Sequence, residues 1–142
     1  MASIAPTTAN LIHVIEWGVQ ATLPSAAAIL AGATVTIDSA GKFALADADG
    51  AGTLPAVYGI ATHTVQAGGN LTGMRIGLIG GYAFGSTAYM APVYAADTAG
   101  ESVIQSGGVT ASSTATQYAP VGFVRSFFTE TTNQTIMPTA GV

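Results

Sequence analysis

His13 and His63 are the only imidazoles in this 142-residue chain, and there is no cysteine. They are therefore the first places to look for a general base or a metal ligand. A nucleophilic triad needs a base, an orienting acid and an activated hydroxyl within hydrogen-bond reach. No Asp or Glu lies within seven residues of His63 on either side, and no G-x-S-x-G occurs. Two histidines without further ligands make a weak metal site, so both read as ordinary strand or packing residues. Asp47-Ala48-Asp49-Gly50 opens like a calcium loop, but the twelfth position, where a bidentate Glu is needed, is Tyr58. It reads as an acidic surface turn. Ser39-Ala40-Gly41-Lys42-Phe43 brushes against a phosphate-binding loop. Phe43 stands where Ser or Thr must hold the metal, and Thr36 stands at the first Gly. Gly77-Leu78-Ile79-Gly80-Gly81 meets no clear helix, so a dinucleotide reading also fails. Asn70-Leu71-Thr72 and Asn133-Gln134-Thr135 match the glycosylation sequon, which has no meaning without export.

Composition points the same way. Seven acids and three bases make 7% charged residues, against 49% hydrophobic, where a soluble domain usually carries about a quarter charged. Catalysis needs clustered ionisable groups, and an enzyme is the weakest class. Lys42, Arg75 and Arg125 are the only bases and lie far apart. They supply no phosphate footprint, so no nucleic-acid partner is expected. No cofactor or metal is expected either. A charge-poor surface rich in Thr, Ser, Gly, Asn and Gln suits a protein packed against copies of itself or a larger assembly. The uncharged windows 17–37, 76–96 and 102–124 approach the ~20-residue spanning length. They are broken by Gly, Pro and polar residues, and no basic region precedes an apolar run at the N-terminus. No membrane partner and no export by that route are expected.

The elements that position these residues read as β. Thr34-Val35-Thr36-Ile37 alternates, Asp38-Ser39-Ala40-Gly41 turns, and Lys42-Phe43-Ala44-Leu45-Ala46 alternates again, which predicts a hairpin. Strands are expected over 57–65, 71–79, 89–95, 100–105 and 120–128. Pro24-Ser25 with the alanines after it predicts one or two helical turns, Ser25 being the N-cap and Gly32 the stop. Short strands between Gly-rich turns predict an all-β, single-domain β-barrel or β-sandwich with at most one short helix. An extended N-terminal arm (1–20) precedes the β-domain (21–128), and a C-terminal tail (129–142) follows. Within the arm, Leu11-Ile12-His13-Val14-Ile15-Glu16-Trp17 carries aliphatics on both faces. That suits a strand covered on two sides or an arm buried against something else. Asp97-Thr98-Ala99-Gly100 repeats the first turn, and Pro120-Val121-Gly122 repeats Pro55-Ala56-Val57-Tyr58-Gly59 after a loop. The echo suggests a pseudo-symmetric double β-unit.

Large apolar groups outside a core mark contacts, and Trp is enriched at interface hot spots. On hydrophobicity the candidate assembly contacts are Leu11, Ile12, Val14, Trp17, Phe127, Phe128, Ile136 and Met137. Trp17 is the expected anchor.

The run GKFALADADGAGTLPAVYGIATHT at 41–64, the run 68–79, and Val93-Tyr94 through Gly100 followed by PVGFV at 120–124 carry a family resemblance. Over about residues 33–126 the chain resembles the small capsid decoration, or cement, proteins of tailed bacteriophages. The resemblance implies a β-barrel or β-sandwich protomer forming a homotrimer on the outer surface of an icosahedral head. It implies the major capsid protein as partner, seats near three-fold positions, and synthesis in the host cytoplasm. It supplies no catalytic residues. The rival class is a phage tail or fibre adhesion module that binds carbohydrate, for which an aromatic or polar groove would be expected. The five tyrosines do not cluster in sequence.

Overall fold

The computed structural model describes residues 3–4, 12–47, 57–82, 92–95, 99–100, 102–104, 120–125 and 134–138, and side-chain surroundings for 12–47, 57–80 and 99–100. The described residues form strands and no helix, in an all-β fold. In chain order the strands are β1 (Ser3–Ile4), β2 (His13–Trp17), β3 (Gln20–Pro24), β4 (Thr34–Ile37), β5 (Phe43–Leu45) and β6 (Gly59–Ala61). They continue as β7 (Asn70–Met74), β8 (Gly77–Tyr82), β9 (Pro92–Ala95), β10 (Ser102–Ile104), β11 (Pro120–Arg125) and β12 (Gln134–Pro138). Two antiparallel sheets result, ordered β1-β10-β9-β11-β12-β8-β2 and β3-β7-β6-β4-β5.

Turn chemistry sets the first hairpin. Gly41 takes φ 76°, a left-handed conformation that a side chain disfavours. Asp38 Oδ1 accepts from the Ala40 and Lys42 amides, both at 2.9 Å. This is the local side-chain-to-backbone bonding that makes Asp a turn former. β4 and β5 then pair with Thr36 opposite Ala44 and Ile37 opposite Phe43.

The two sheets share one plan. Read from β5, the smaller sheet runs β5-β4-β6-β7-β3, and the larger contains β10-β9-β11-β12-β8. Each strand corresponds to the one five places later. Registers agree as well. Val35 lies between Leu45 and Gly59, and Val93 lies between Ile104 and Gly122. Ile60 faces Met74 as Phe123 faces Met137. The echo of Asp-Ser/Thr-Ala-Gly turns in the sequence therefore belongs to a duplicated five-strand unit, β3–β7 and β8–β12, with β1 and β2 added at the edges of the second.

Two connections cross between the sheets. β2 runs into β3 through Gly18-Val19, and β7 runs into β8 through Arg75-Ile76. The two bent strands pair along their length, from His13 opposite Gly80 to Pro24 opposite Asn70. At the bend the Val19 carbonyl accepts from the Arg75 amide at 2.8 Å. The backbones approach so closely that a Cβ on Gly18 would lie 2.4 Å from the Ile76 carbonyl oxygen. Only glycine fits there. The sequence reading of 71–79 as one strand is corrected accordingly: it breaks at Arg75-Ile76 and serves both sheets.

The core of the smaller sheet gathers Ile29, Ala33, Val35, Phe43, Ala61 and Leu71. Phe43 meets Tyr58 edge-on with centroids 5.4 Å apart, a favoured aromatic geometry. Arg75 lies 6.0 Å above the Tyr58 ring, at cation–π distance.

Three further expectations change. The predicted helical turn at Ser25 is absent because sheet carbonyls take its donors: Ser25 N–H bonds Gly69, Ala26 N–H bonds Phe43, and Ile29 exchanges bonds with Val65. The Ser25 hydroxyl donates to the Ala27 carbonyl instead of capping a helix. Segment 129–142, read as a tail, contributes β12, which lies inside the larger sheet between β11 and β8. Segment 1–20, read as an arm, contributes β1 and β2 to that sheet's two edges.

Candidate assembly surface

Among the described residues β2 is the last strand of its sheet, with β8 as its neighbour. Of the two readings of this segment, a strand covered on both faces is not what the exposures show, and an arm buried against something else concerns a partner. Ile12 and Val14 are half-buried, but Ile15, Glu16 and Trp17 are exposed. Val14 sits opposite the fully buried Ile79, which sits opposite Ile136 on β12. Those three positions form one row across three strands. Val14 and Ile136 thus belong to neighbouring positions of the sheet, and Met137 lies opposite Phe123. Leu11, Phe127 and Phe128 lie outside the described residues.

Trp17 stands apart from this row. It is opposite Gly77, which offers no side chain to pack on, and 53% of its surface is exposed. Val19, two residues on, is 47% exposed, and Ile15 and Leu30 are also large exposed apolar residues. The exposed apolar residues of β2 and the bend after it therefore follow one another along the bent strand that passes from the edge of one sheet to the edge of the other. Sequence reasoning found Trp17 and missed Val19. The signal was present in the i, i+2 spacing of a strand, but the bend at Gly18 hid it.

The structure places several of the residues first weighed for chemistry. The Nε2 of His63 accepts from the Thr72 amide at 3.1 Å, so the proton of the ring sits on Nδ1. His13 is on β2 opposite Gly80. Among the described residues no group of three or more His, Asp and Glu is placed to hold a metal. At Ser39-Ala40-Gly41-Lys42 the Ala40 and Lys42 amides donate to the Asp38 carboxylate and the Gly41 amide to the Asp38 carbonyl, and the turn joins two strands. Asp47 follows β5, and the rest of the acidic turn, 48–50, lies outside the described residues. No described helix is long and apolar enough to cross a membrane.

Comparison with protein-family models, curated proteins and solved structures returned no match for this chain.

Proposed function

We propose that this chain is a structural capsid decoration protein. It binds the outer surface of an icosahedral phage head near three-fold positions as a homotrimer and stabilises contacts between major capsid subunits. The observation that carries the reading is the exposed Trp17, with Val19 beside it, on the open edge of an all-β, charge-poor protein. About half of the Trp17 surface is left to solvent on a sheet edge, and Trp is the residue type most enriched at interface hot spots. The turn and strand-edge pattern shared with phage decoration proteins supplies the kind of assembly.

Low charge with abundant Ala, Gly and Thr permits close subunit packing. Closed cyclic symmetry buries the same apolar patch in every subunit. The test is to add purified protein to expanded heads that lack it and to measure sedimenting protein against free protein. Saturable binding with three copies per three-fold position supports the reading. Binding to a glycan surface in place of heads would favour the adhesion module.

A further inference from the structure

We infer that the open edge of β3 is a docking site for β2 of a second copy of this chain, in a two-fold pairing centred at Gly18. The inference takes from the proposed function only that Trp17 is an assembly contact, and it names the partner.

The duplicated unit supplies the occupant. β8, the counterpart of β3, has strands on both sides: β12 within its own unit and β2 from outside it. Among the described residues β3 has only β7. The missing neighbour is therefore the counterpart of β2 on β8. β3 also has bonding groups to offer. Val19 C=O and Ser25 N–H bond to the β7 side. Backbone groups alternate along an antiparallel strand, so those of Gln20 and Thr22 point away from β7. Pro24 has no N–H and ends the edge.

The register follows from the same correspondence. Ile79 faces Ile136 as Ala21 faces Gly73, so Ala21 and Val19 match Ile79 and Gly77. On β8, Val14 lies opposite Ile79 and Trp17 opposite Gly77. Carried to β3, Val14 of the second copy lies opposite Ala21, and its Trp17 lies opposite Val19. That register is its own mirror. When Trp17 of the second copy meets Val19, Val19 of the second copy meets Trp17, as an isologous two-fold contact requires. The exposed Trp17 and Val19 of both chains then form one apolar cluster. An open strand edge is a template for such pairing, and Trp17 and Val19 add exposed apolar surface beside it. On an icosahedral surface a contact of this kind joins neighbouring decoration trimers across two-fold positions.

The test uses isolated protein without capsids, so its failure leaves the decoration reading standing. Hydrogen exchange at the Gln20 and Thr22 amides is followed against protein concentration. At a concentration where light scattering gives about nine in ten chains paired, exchange at both should slow about ten-fold, because only the free chain exchanges. W17C and V19C proteins, each bearing the chain's only cysteine, are then mixed under mild oxidation. Residues 17 and 19 form a non-hydrogen-bonded pair, with Cα atoms ~4.5 Å apart, within disulfide reach. The mixture should cross-link faster than either protein alone and faster than W17C with L30C. Exchange at Gln20 and Thr22 that ignores concentration up to millimolar protein overturns the pairing, whether the protein is a monomer or a trimer. Protection without the mixed cross-link overturns the register.

Discussion

Gly41 and Gly100 hold the same left-handed turn, φ 76° and 79°, in two hairpins that occupy equivalent places in the two sheets. Their surroundings differ. A Cβ on Gly41 would meet nothing within 4 Å, whereas one on Gly100 would lie 2.8 Å from Leu45 Cδ2. Gly100 is also tied to the smaller sheet, its amide donating to Ala46 at 2.8 Å and its carbonyl accepting from Thr34 at 3.2 Å. The second turn thus docks one sheet's hairpin against the other sheet.

Gly41→Ala should therefore cost backbone strain alone, roughly 1–2 kcal/mol. Gly100→Ala should cost the same strain plus displacement of Leu45, a further 1–3 kcal/mol or so. Denaturant midpoints of the two variants measure the difference. Equal losses would show that the second turn does not press on Leu45.

Phe43 is fully buried and its ring lies on Gly73, where a Cβ would come within 2.7 Å of Cζ. Gly73→Ala should destabilise by about 1–3 kcal/mol through overpacking. Phe43→Leu shortens the ring side chain that causes the clash. The double variant should then lose less than the sum of the single losses, a coupling read from a double-mutant cycle. Additive losses would separate the two residues.

Trp17→Ala should cost clearly less folding stability than loss of a core Trp, because 53% of the residue's surface is in solvent. A core Trp would cost about 3–5 kcal/mol. Head binding should weaken by about 2 kcal/mol or more, close to thirty-fold in affinity. An isolated protein that unfolds far more easily, while its folded fraction binds normally, would make Trp17 a stability residue.

Deleting residues 1–10 removes β1, whose two residues pair with Val103 and Ser102 on β10. So short a strand contributes little, and terminal segments cost little unless tied down. The melting temperature should change slightly while head occupancy falls. A large melting loss with unchanged occupancy would assign the segment to the domain alone.

The elements legible in the sequence were those specified by neighbouring residues. The β4–β5 hairpin was visible because alternation and Asp-Ser-Ala-Gly both lie within twelve residues, and the repeated turn pointed to the duplication. What escaped was specified at long range. Gln134-Thr135-Ile136-Met137-Pro138 has one adjacent apolar pair and no alternation, and it is a strand because β11 and β8 flank it. Ser25 carries a good helix-cap signal, but its amide is taken by Gly69, far along the chain. Arg75-Ile76 gives no local sign of a break, but Gly77 directly after it takes φ 156°, and Gly18 on the partner strand allows the close approach of the two backbones there. At the candidate surface Trp17 was legible from its type, while Val19 needed the bend.

A three-dimensional map of expanded heads reconstituted with the purified protein decides whether the chain decorates the capsid. Density for three copies is expected around each three-fold position on the outer surface, with Trp17 covered at a protein contact. Heads that carry no added density at saturating protein, or density confined to the tail, would contradict decoration.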